Sequence, residues 1–583
     1  MSPFRCCRLR RDLVKVKVAL FALALGTLLT SCAAIPSSSP IHKLPNTQQS
    51  NDTQFVRVIA RPPALNAKPL AIVKGFLDAC ADTSGDYSIA RKYLLDSVSE
   101  QWQPDSQMTT FDSATLSIAN SGNNFRVSGS ITGYVDVFQR YSAEVSPKPL
   151  DYALTLSRDA KNQWRIRQLP DGVIAPLSDV QRRIKGFPVY FFDQQNAHLV
   201  PDYVVVPRGS SGTATALMQA LLAGPRAQLV AYLNSQIPNG AKLNYGSVPV
   251  SNGIATVDLS LNVNSLQPVT YSRLATQIVW TLDRIDSVRK VRILFSGRPY
   301  PKTDLPAVLS TQNFARYSPQ RPNRQTALFI AKGAKLYSTS VATQNLIAEI
   351  PVDTSASTSS FTSSQLSGSV AVVGDAGKNL FVKTKKGTEF RQVFAGEFLS
   401  KPSWSRSGRI FVADYGHWIA SISPSGDISF LRVEKSVLGE ATDVSRVAMA
   451  PDGVRIALLF GTTKASTLAI GILIPDGVHT RVVAITPVLT GLTNVRDVDW
   501  VDESHIALLS STSTDTSDLQ IVSLADGSRE IIQIPFESRS FTFGSNGQVV
   551  LSAVRNGTPQ ILERRQGAWI EIAKANLASF SAR

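Results

Sequence analysis

Apolar and polar positions divide the chain into four zones. A 12-residue apolar run, Val18–Leu29, stands near the start, and a polar stretch rich in Ser, Pro, Asn and Gln follows it. Helical spacing of apolar residues then mixes with strand-like alternation as far as about residue 300, and short strand-like runs continue to the end. This order predicts an exported chain with mixed α+β domains first and an all-β domain last.

The apolar run ends in Leu29-Thr30-Ser31-Cys32 and follows six basic residues. A basic region, a short apolar region and small residues before a cleavage point are typical of a secretory signal. A transmembrane anchor is the weaker interpretation, because spanning a bilayer takes about 20 residues. The four residues resemble the lipobox of bacterial lipoproteins, whose peptidase cuts at the position between Ser31 and Cys32.

The lipobox resemblance implies a chemistry for Cys32. Its thiol would receive an S-diacylglycerol group, and its new α-amino group would then be N-acylated. Two or three acyl chains give durable anchoring, whereas a single chain is marginal. We therefore expect a signal peptide over residues 1–31, a flexible tether over 32–54, and a mature chain held on the extracytoplasmic face of the cell membrane. Arg10-Arg11 also resembles a twin-arginine export motif, so the export route stays open.

Residues 55–178 are predicted to form the first folded domain. An opening helix carries its apolar residues on one face, from Ile72 to Leu77, and strand-like runs follow between residues 114 and 169. Helices followed by a curved antiparallel sheet resemble the NTF2-like cone fold by pattern alone. Cys80 lies in the opening helix and is interpreted as a small buried hydrophobe.

Residues 186–300 are predicted to form a second α+β domain. Three motifs mark it: Leu-Leu-x-Gly-Pro at 221–225, Ile-Pro-x-Gly at 237–240 and Val-Asp-Leu-Ser at 257–260. In this order they are similar to the GerMN domain, first known from spore-germination proteins. Four prolines between residues 301 and 324 predict a Pro-rich linker after it.

Residues 325–583 are predicted to be an all-β domain. Strand starts recur every 40 to 50 residues, near Val370, Ile410, Ile456, Ile506 and Val549. This period is typical of a β-propeller with four short strands per blade, and the length predicts about six blades. The runs 560–563 and 569–573 are expected to complete a blade that 327–330 begins.

Composition and net charge limit the classes of partner that the chain is expected to bind. The formal charge of +16 falls to about +11 in the mature chain, because residues 1–31 hold six basic residues and Asp12. This positive charge favours binding to anionic surfaces such as phospholipid headgroups or wall polymer. The alternative is that the charge is spread over the surface and serves only solubility. Nucleic acid is not expected beside an exported chain. Cys6 and Cys7 leave with the signal and Cys32 is lipidated, so Cys80 remains alone and no intrachain disulfide is expected.

No sequence motif predicts a catalytic residue, a cofactor or a metal site. The metalloprotease helix, the nucleophile elbow and the phosphate loop are all missing from the sequence. The histidines are scattered, as His42, His198, His417, His479 and His505. Asp452 and Asp526 each precede glycine and are interpreted as turn residues rather than calcium ligands. Asp258 is interpreted as a strand-end carboxylate that binds nearby backbone.

Three tryptophans are interpreted as packing between propeller blades rather than as a platform for sugar. They are Trp404, Trp418 and Trp500.

The complete order of lipobox, tether, NTF2-like domain, GerMN domain and propeller resembles the LpqB family of actinobacterial lipoproteins. This resemblance implies an accessory lipoprotein that is connected with the MtrA–MtrB two-component system and influences its sensor kinase and cell-envelope homeostasis. We therefore expect a non-enzymatic interaction module whose partners are the membrane, a sensor-kinase ectodomain and anionic wall polymer. The alternative is a binder of wall glycan or peptide, or an enzyme, that uses the propeller channel or the NTF2-like pocket.

Overall fold

A computed structural model describes residues 60–582, except 82–86, 264–265, 320–326, 340–343, 351–359, 365–366, 417, 435–442, 478 and 545–546. The predicted signal peptide (1–31) and tether (32–54), with Ser31 and Cys32, lie outside the described residues. His42 and His417 lie outside them as well.

The N-terminal domain combines short helices with one long sheet. Its helices are α1 (Pro69–Cys80), α2 (Ser88–Arg91), α3 (Asp96–Gln101) and α4 (Leu177–Arg183). Its strands are β1 (Met108–Phe111), β2 (Ser117–Ser121), β3 (Asn124–Val135), β4 (Tyr141–Arg158), β5 (Trp164–Gln168) and β6 (Val173–Pro176). The sheet order is β5-β4-β3-β1-β6, with β2 on β3, and only the β1–β6 pair is parallel. The NTF2-like assignment remains a prediction.

Helix α1 forms because proline suits its first turn and apolar residues recur on one face. Ile72, Val73, Phe76 and Leu77 are buried against the sheet, as the sequence predicted. Cys80 is also fully buried, and burial raises the pKa of its thiol, so it stays protonated and unreactive.

The second domain places two helices against two small sheets. Its helices are α5 (Thr213–Ala223) and α6 (Pro268–Leu282). Its strands are β7 (Ile184–Asp193), β8 (Leu199–Pro207), β9 (Leu233–Asn234), β10 (Lys242–Leu243), β11 (Val250–Ser251), β12 (Ile254–Ser260) and β13 (Lys290–Phe295). One sheet has the order β8-β7-β9; the other has β10-β12-β11, with β13 parallel to β12. Gly224 ends α5 at φ 83°, as the Gly-Pro pair predicted.

The described part of the predicted linker is a packed segment. Residues 311–317 form a 3₁₀ helix whose Phe314 and Tyr317 are buried in the core of the second domain. The Trp280 indole of α6 donates a hydrogen bond to the Phe314 carbonyl at 3.3 Å. Aromatic residues of the predicted linker therefore pack on α6, and the described part of this segment ends at Pro319.

The C-terminal domain contains only strands in its described part. They are β14 (Leu328–Lys332), β15 (Lys335–Thr339), β16 (Gln344–Glu349), β17 (Ser360–Ser364), β18 (Val370–Gly374), β19 (Asn379–Lys383), β20 (Arg391–Ala395), β21 (Ser403–Trp404), β22 (Ile410–Asp414), β23 (Trp418–Ile422), β24 (Ile428–Val433), β25 (Val444–Met449), β26 (Arg455–Gly461), β27 (Ser466–Asp476), β28 (His479–Leu492), β29 (Val495–Trp500), β30 (His505–Ser511), β31 (Ser517–Ser523), β32 (Arg529–Ile534), β33 (Glu537–Phe543), β34 (Val549–Arg555), β35 (Thr558–Arg565), β36 (Ala568–Ala573) and β37 (Leu577–Ala582).

Antiparallel pairing sorts these described strands into groups of four. Five groups are consecutive, β17–β20, β21–β24, β25–β28, β29–β32 and β33–β36, and a sixth combines β14–β16 with β37. Parallel pairs join β37 to β17 and β24 to β28. The strand starts predicted from the sequence fall in β18, β22, β26, β30 and β34, the second strand of each consecutive group.

The strand that closes the domain is not one of those predicted. Residues 560–563 and 569–573 lie in β35 and β36, which stay in their own sheet. Strand β37 pairs with β14 instead, with Phe580 opposite Leu328 and Leu577 opposite Ala331. Its apolar side chains are buried beside those of β14, so burial holds the chain end in the first sheet.

Candidate functional site

The three carboxylates weighed in the sequence bind backbone, as interpreted. Asp258 accepts hydrogen bonds from the Gly297 amide at 3.1 Å and from the Asn244 side chain at 3.0 Å. Asp526 accepts from the amide and the hydroxyl of Ser528, at 3.1 and 2.7 Å. Asp452 caps its turn through the amide of Val454, but it also binds a buried arginine described below.

The described histidines lie on separate elements, and His479 begins β28. His198 Nδ1 lies 2.9 Å from Asp193 at the β7–β8 turn, and His505 Nδ1 lies 2.9 Å from Asp502 in the C-terminal domain. The hydrogen bond with Asp502 is the main cause that raises the pKa of His505. Among the described residues, no group of His, Cys, Asp and Glu side chains has the arrangement of a metal site.

Two of the three tryptophans pack between strand groups. The Trp404 indole donates to the Thr362 carbonyl of the preceding group, and the Trp500 indole donates to that of Ala448 in the same way. The interpretation of Trp418 was wrong, because its side chain is 54% exposed. Trp418 begins β23 after a rim turn, where it contacts Phe430 of the same sheet at a ring distance of 5.5 Å.

A narrow channel runs where the innermost strands of the six groups meet. Residues of β17, β21, β25, β29, β33 and β37 line it, and it has room of about 30 Å³, enough for roughly one water. Lys401 lies at its wall, with Nζ 2.9 Å from Asp497 and 3.1 Å from the Phe541 carbonyl. Burial alone lowers the pKa of Lys401, but Asp497 and Asp499 outweigh it and raise the pKa. At this position the space between the innermost strands is therefore too small for a sugar or peptide.

The second and C-terminal domains are joined through a buried arginine of β26. Arg455 is 5% exposed, and its guanidinium contacts Asp452 at 2.6 Å, the Tyr203 hydroxyl at 2.8 Å and the Glu503 carbonyl at 2.6 Å. The same guanidinium lies 4.9 Å above the Trp500 ring. Asp452 and Tyr203 raise the pKa of Arg455 against the effect of burial, so this cation stays charged at the domain boundary.

Glu503 extends this network into the second domain. Its carboxylate lies 3.3 Å from the Arg284 guanidinium and 3.4 Å from the Tyr190 hydroxyl. The apolar core continues across the same boundary, because Val454 and side chains of β27 and β28 belong to the core cluster of the second domain. The two domains therefore share one core with a charged centre.

A second buried cation joins the N-terminal domain to the second domain. Arg140 is 6% exposed, lies 3.4 Å from Asp202 and donates a hydrogen bond to the Gly224 carbonyl. The Asp202 carboxylate also forms an ion pair with Arg226, so two arginines share one buried carboxylate. The N-terminal domain reaches the C-terminal domain as well, where Gln181 donates to the Asp526 carbonyl at 3.3 Å.

A cleft of about 740 Å³ opens where all three domains meet. Its walls come from β1, β3, β4 and α4 of the N-terminal domain, from Arg226 and Gln228 of the second, and from β28 and the β31–β32 turn of the third. The walls mix apolar and polar side chains in a volume that is typical of ligand sites at domain junctions. A smaller cavity of about 280 Å³ lies between α4, β3 and β8.

Sequence reasoning missed the buried cations and the cleft. An arginine or lysine normally lies in solvent, and its partners here come from distant segments. One sequence feature could have indicated the buried Arg455: Asp452 lies three residues before it in the same turn and supplies a carboxylate.

Three family models match the chain over consecutive segments. "Lipoprotein LpqB, N-terminal domain" matches residues 62–181, "Sporulation and spore germination" matches 188–301, and "Lipoprotein LpqB beta-propeller domain" matches 341–562. Among the described residues, none of the helices has the length and apolar character that a membrane crossing requires.

Curated relatives match most of the chain. Lipoprotein LpqB of Cutibacterium acnes is 25% identical over 83% of this chain and 85% of the relative, and that of Streptomyces coelicolor is 27% identical over 89% and 90%. Among solved structures, TolB from Acinetobacter baumannii aligns with a TM-score of 0.34 and 11% identity, over 46% of this chain and 69% of that one. Because all three segments of the family are matched in order, this chain belongs to the LpqB family of lipoproteins, with a GerMN domain and a C-terminal β-propeller.

Proposed function

We propose that the chain is a non-enzymatic, membrane-anchored interaction module on the extracytoplasmic face of the cell membrane. The observation that carries the proposal is the union of three domains through Arg140 and Arg455, which makes one body around an open cleft. A body whose domains are fixed in advance loses little conformational entropy when it binds a partner. Lipid on Cys32 would confine that body near membrane proteins at high effective concentration.

The partner that we propose is the ectodomain of a sensor kinase of the MtrA–MtrB type, with an effect on cell-envelope homeostasis. Membership of a lipoprotein family supports the anchored location on which this depends. For the fold, we propose six propeller blades, supported by the six four-stranded groups, and an NTF2-like N-terminal domain, supported by helices that precede a long antiparallel sheet.

The experiment compares binding and kinase output. Full-length chain in detergent is mixed with the purified kinase ectodomain, and the autophosphorylation of the kinase is measured in proteoliposomes with and without the chain. We expect direct binding and an altered autophosphorylation rate. An unchanged rate without binding would contradict the proposal.

The alternative is a binder of wall glycan or peptide, or an enzyme. The cavity of about 280 Å³ beside α4 is the observation that favours it, since Met108, Val135 and Val180 give it an apolar lining. Retention on purified wall polymer, followed by release of a cleaved product, would support this alternative against the kinase.

A further inference from the structure

The three-domain cleft faces strand edges rather than sheet faces. Two runs of five consecutive residues line it, 141–145 of β4 and 486–490 of β28. Successive residues of a strand point to opposite faces of a sheet, so a cleft above a face would contact alternate residues only. Contact with every residue in turn means that the cleft follows the edges of both strands.

The edge of β4 presents backbone groups to this cleft. The Asp136 amide donates to the Arg140 carbonyl at 3.1 Å, so the next hydrogen-bonded pair along the ladder is Tyr134 with Ser142. The intervening residues of β4, Tyr141 and Ala143, therefore direct their N–H and C=O groups away from β3.

Val145 continues the same alternation. Its carbonyl accepts a hydrogen bond from the Thr490 hydroxyl of β28 at 2.7 Å, which places that carbonyl on the cleft side. This contact occupies the edge at Val145, so the part of the edge open to a partner is at Tyr141 and Ala143. Among the described residues, β5 pairs with β4 only from Thr155 onward, so no described strand pairs with this edge at 141–145.

The opposite edge is less suited to receive a strand. Pro487 lies in the middle of its run and has no N–H group to donate. The cleft also has a charged rim, where Arg529 is exposed and forms no ion pair within the described part of the chain. Its charge acts on the nearby Tyr141.

We propose that this cleft binds an extended segment of a partner protein, which adds as a strand to the β4 edge and places an acidic side chain against Arg529. An unpaired strand edge is complementary to an extended polypeptide, because only such a chain offers donors and acceptors at the same spacing. The inference rests on the proposed recognition role. Its test uses library peptides, so it can fail while the kinase proposal stands, and the reverse is also true.

The probe is a phage-displayed library of random 12-residue peptides, panned on the full-length chain in detergent. Enriched peptides are synthesised with a fluorophore, and their affinity is measured by anisotropy. Ala143→Pro removes an edge N–H and should weaken binding at least about tenfold, and Arg529→Ala should weaken it by a similar factor. Arg555→Ala, an exposed arginine elsewhere on the propeller, is the matched control and should leave affinity unchanged.

If Ala143→Pro does not fold, N-methylated peptides test the same backbone hydrogen bonds on the wild-type chain. One peptide is N-methylated at odd positions and a second at even positions. Addition to a single edge uses alternate residues, so one form should lose binding and the other should keep it. Equal affinity of the two forms, no enriched peptide, or unchanged affinity for Arg529→Ala overturns the proposal. Enriched sequences that match this chain itself also overturn it, because they identify a second copy as the occupant.

Discussion

Three buried cations hold the described fold together at places where distant segments meet. Arg140, Lys401 and Arg455 each contact at least one carboxylate and at least one backbone carbonyl. A buried ion pair adds little net stability compared with apolar residues of equal size, but the loss of one partner is costly. Arg140 and Arg455 therefore specify how the domains sit together, and Lys401 fixes the strands of the propeller, more than they raise the overall stability.

We predict that Arg455→Ala lowers the free energy of unfolding by about 3–5 kcal/mol, since it leaves Asp452 buried without its counter-ion. Urea denaturation followed by Trp fluorescence measures the change. The control is Arg564→Ala, which removes an exposed pair with Glu530 and should cost less than about 1 kcal/mol. Equal midpoints for the two variants would contradict the structural role of Arg455.

A second residue-scale prediction concerns the lipid. Cys32→Ala should abolish labelling by a fatty-acid analogue in growing cells, because the lipobox offers one thiol as acceptor. Cys80→Ala should label like the wild type, since that thiol is buried in α1. Fatty-acid label on the Cys32→Ala chain would contradict the interpretation of Cys32 as the lipidated residue.

The sequence could predict single residues only where their partners lie close in the chain. Asp452 and Asp526 bind backbone in their own turns, as interpreted, whereas Asp258 binds the Gly297 amide, which lies 39 positions away. Arg455 instead meets Tyr203, which lies more than 250 positions away, and no local pattern reports that distance.

At the scale of elements, β37 is the most consequential strand. We predict that deletion of residues 577–583 abolishes cooperative unfolding of the propeller, because β14 loses its antiparallel partner and Phe580 leaves the core. Circular dichroism during heating measures the effect, and a chain that lacks Arg583 alone is the control. A truncated chain that melts at the wild-type temperature would show that β37 is dispensable.

Periodic elements were predictable and terminal ones were not. The strand starts at Val370, Ile410 and Val549 followed from repetition, since each group repeats the same alternation. Strand β37 is a short run that breaks the period, so nothing local distinguishes it from a frayed end. The packing of Phe314 on the second domain was not predictable either, because proline spacing does not report which apolar residues of the predicted linker are buried.

At the scale of the whole molecule, the core shared by the second and C-terminal domains, together with the Arg140 joint to the N-terminal domain, predicts that the three domains unfold together. Differential scanning calorimetry of the full-length chain should give one main transition, and the double variant Arg140→Ala with Arg455→Ala should give at least two. The double variant removes the charged joints at both domain boundaries, so the unfolding of the domains becomes less strongly coupled. Separate transitions in the wild type would mean that the joints are weak.

The position of β37 in the sequence also affects when the propeller can close during synthesis. A chain is synthesised from its N-terminus at about 5–20 residues per second, and β37 follows the other described propeller strands in the sequence, so the first sheet receives its fourth strand only after the other five groups have been made. Without β37, the backbone N–H and C=O groups on one edge of β14 and one edge of β17 stay unpaired, and such edges can pair wrongly with other chains. A chain that lacks β37 therefore exposes one edge of β14 and one edge of β17, which is a larger change than the loss of a short segment.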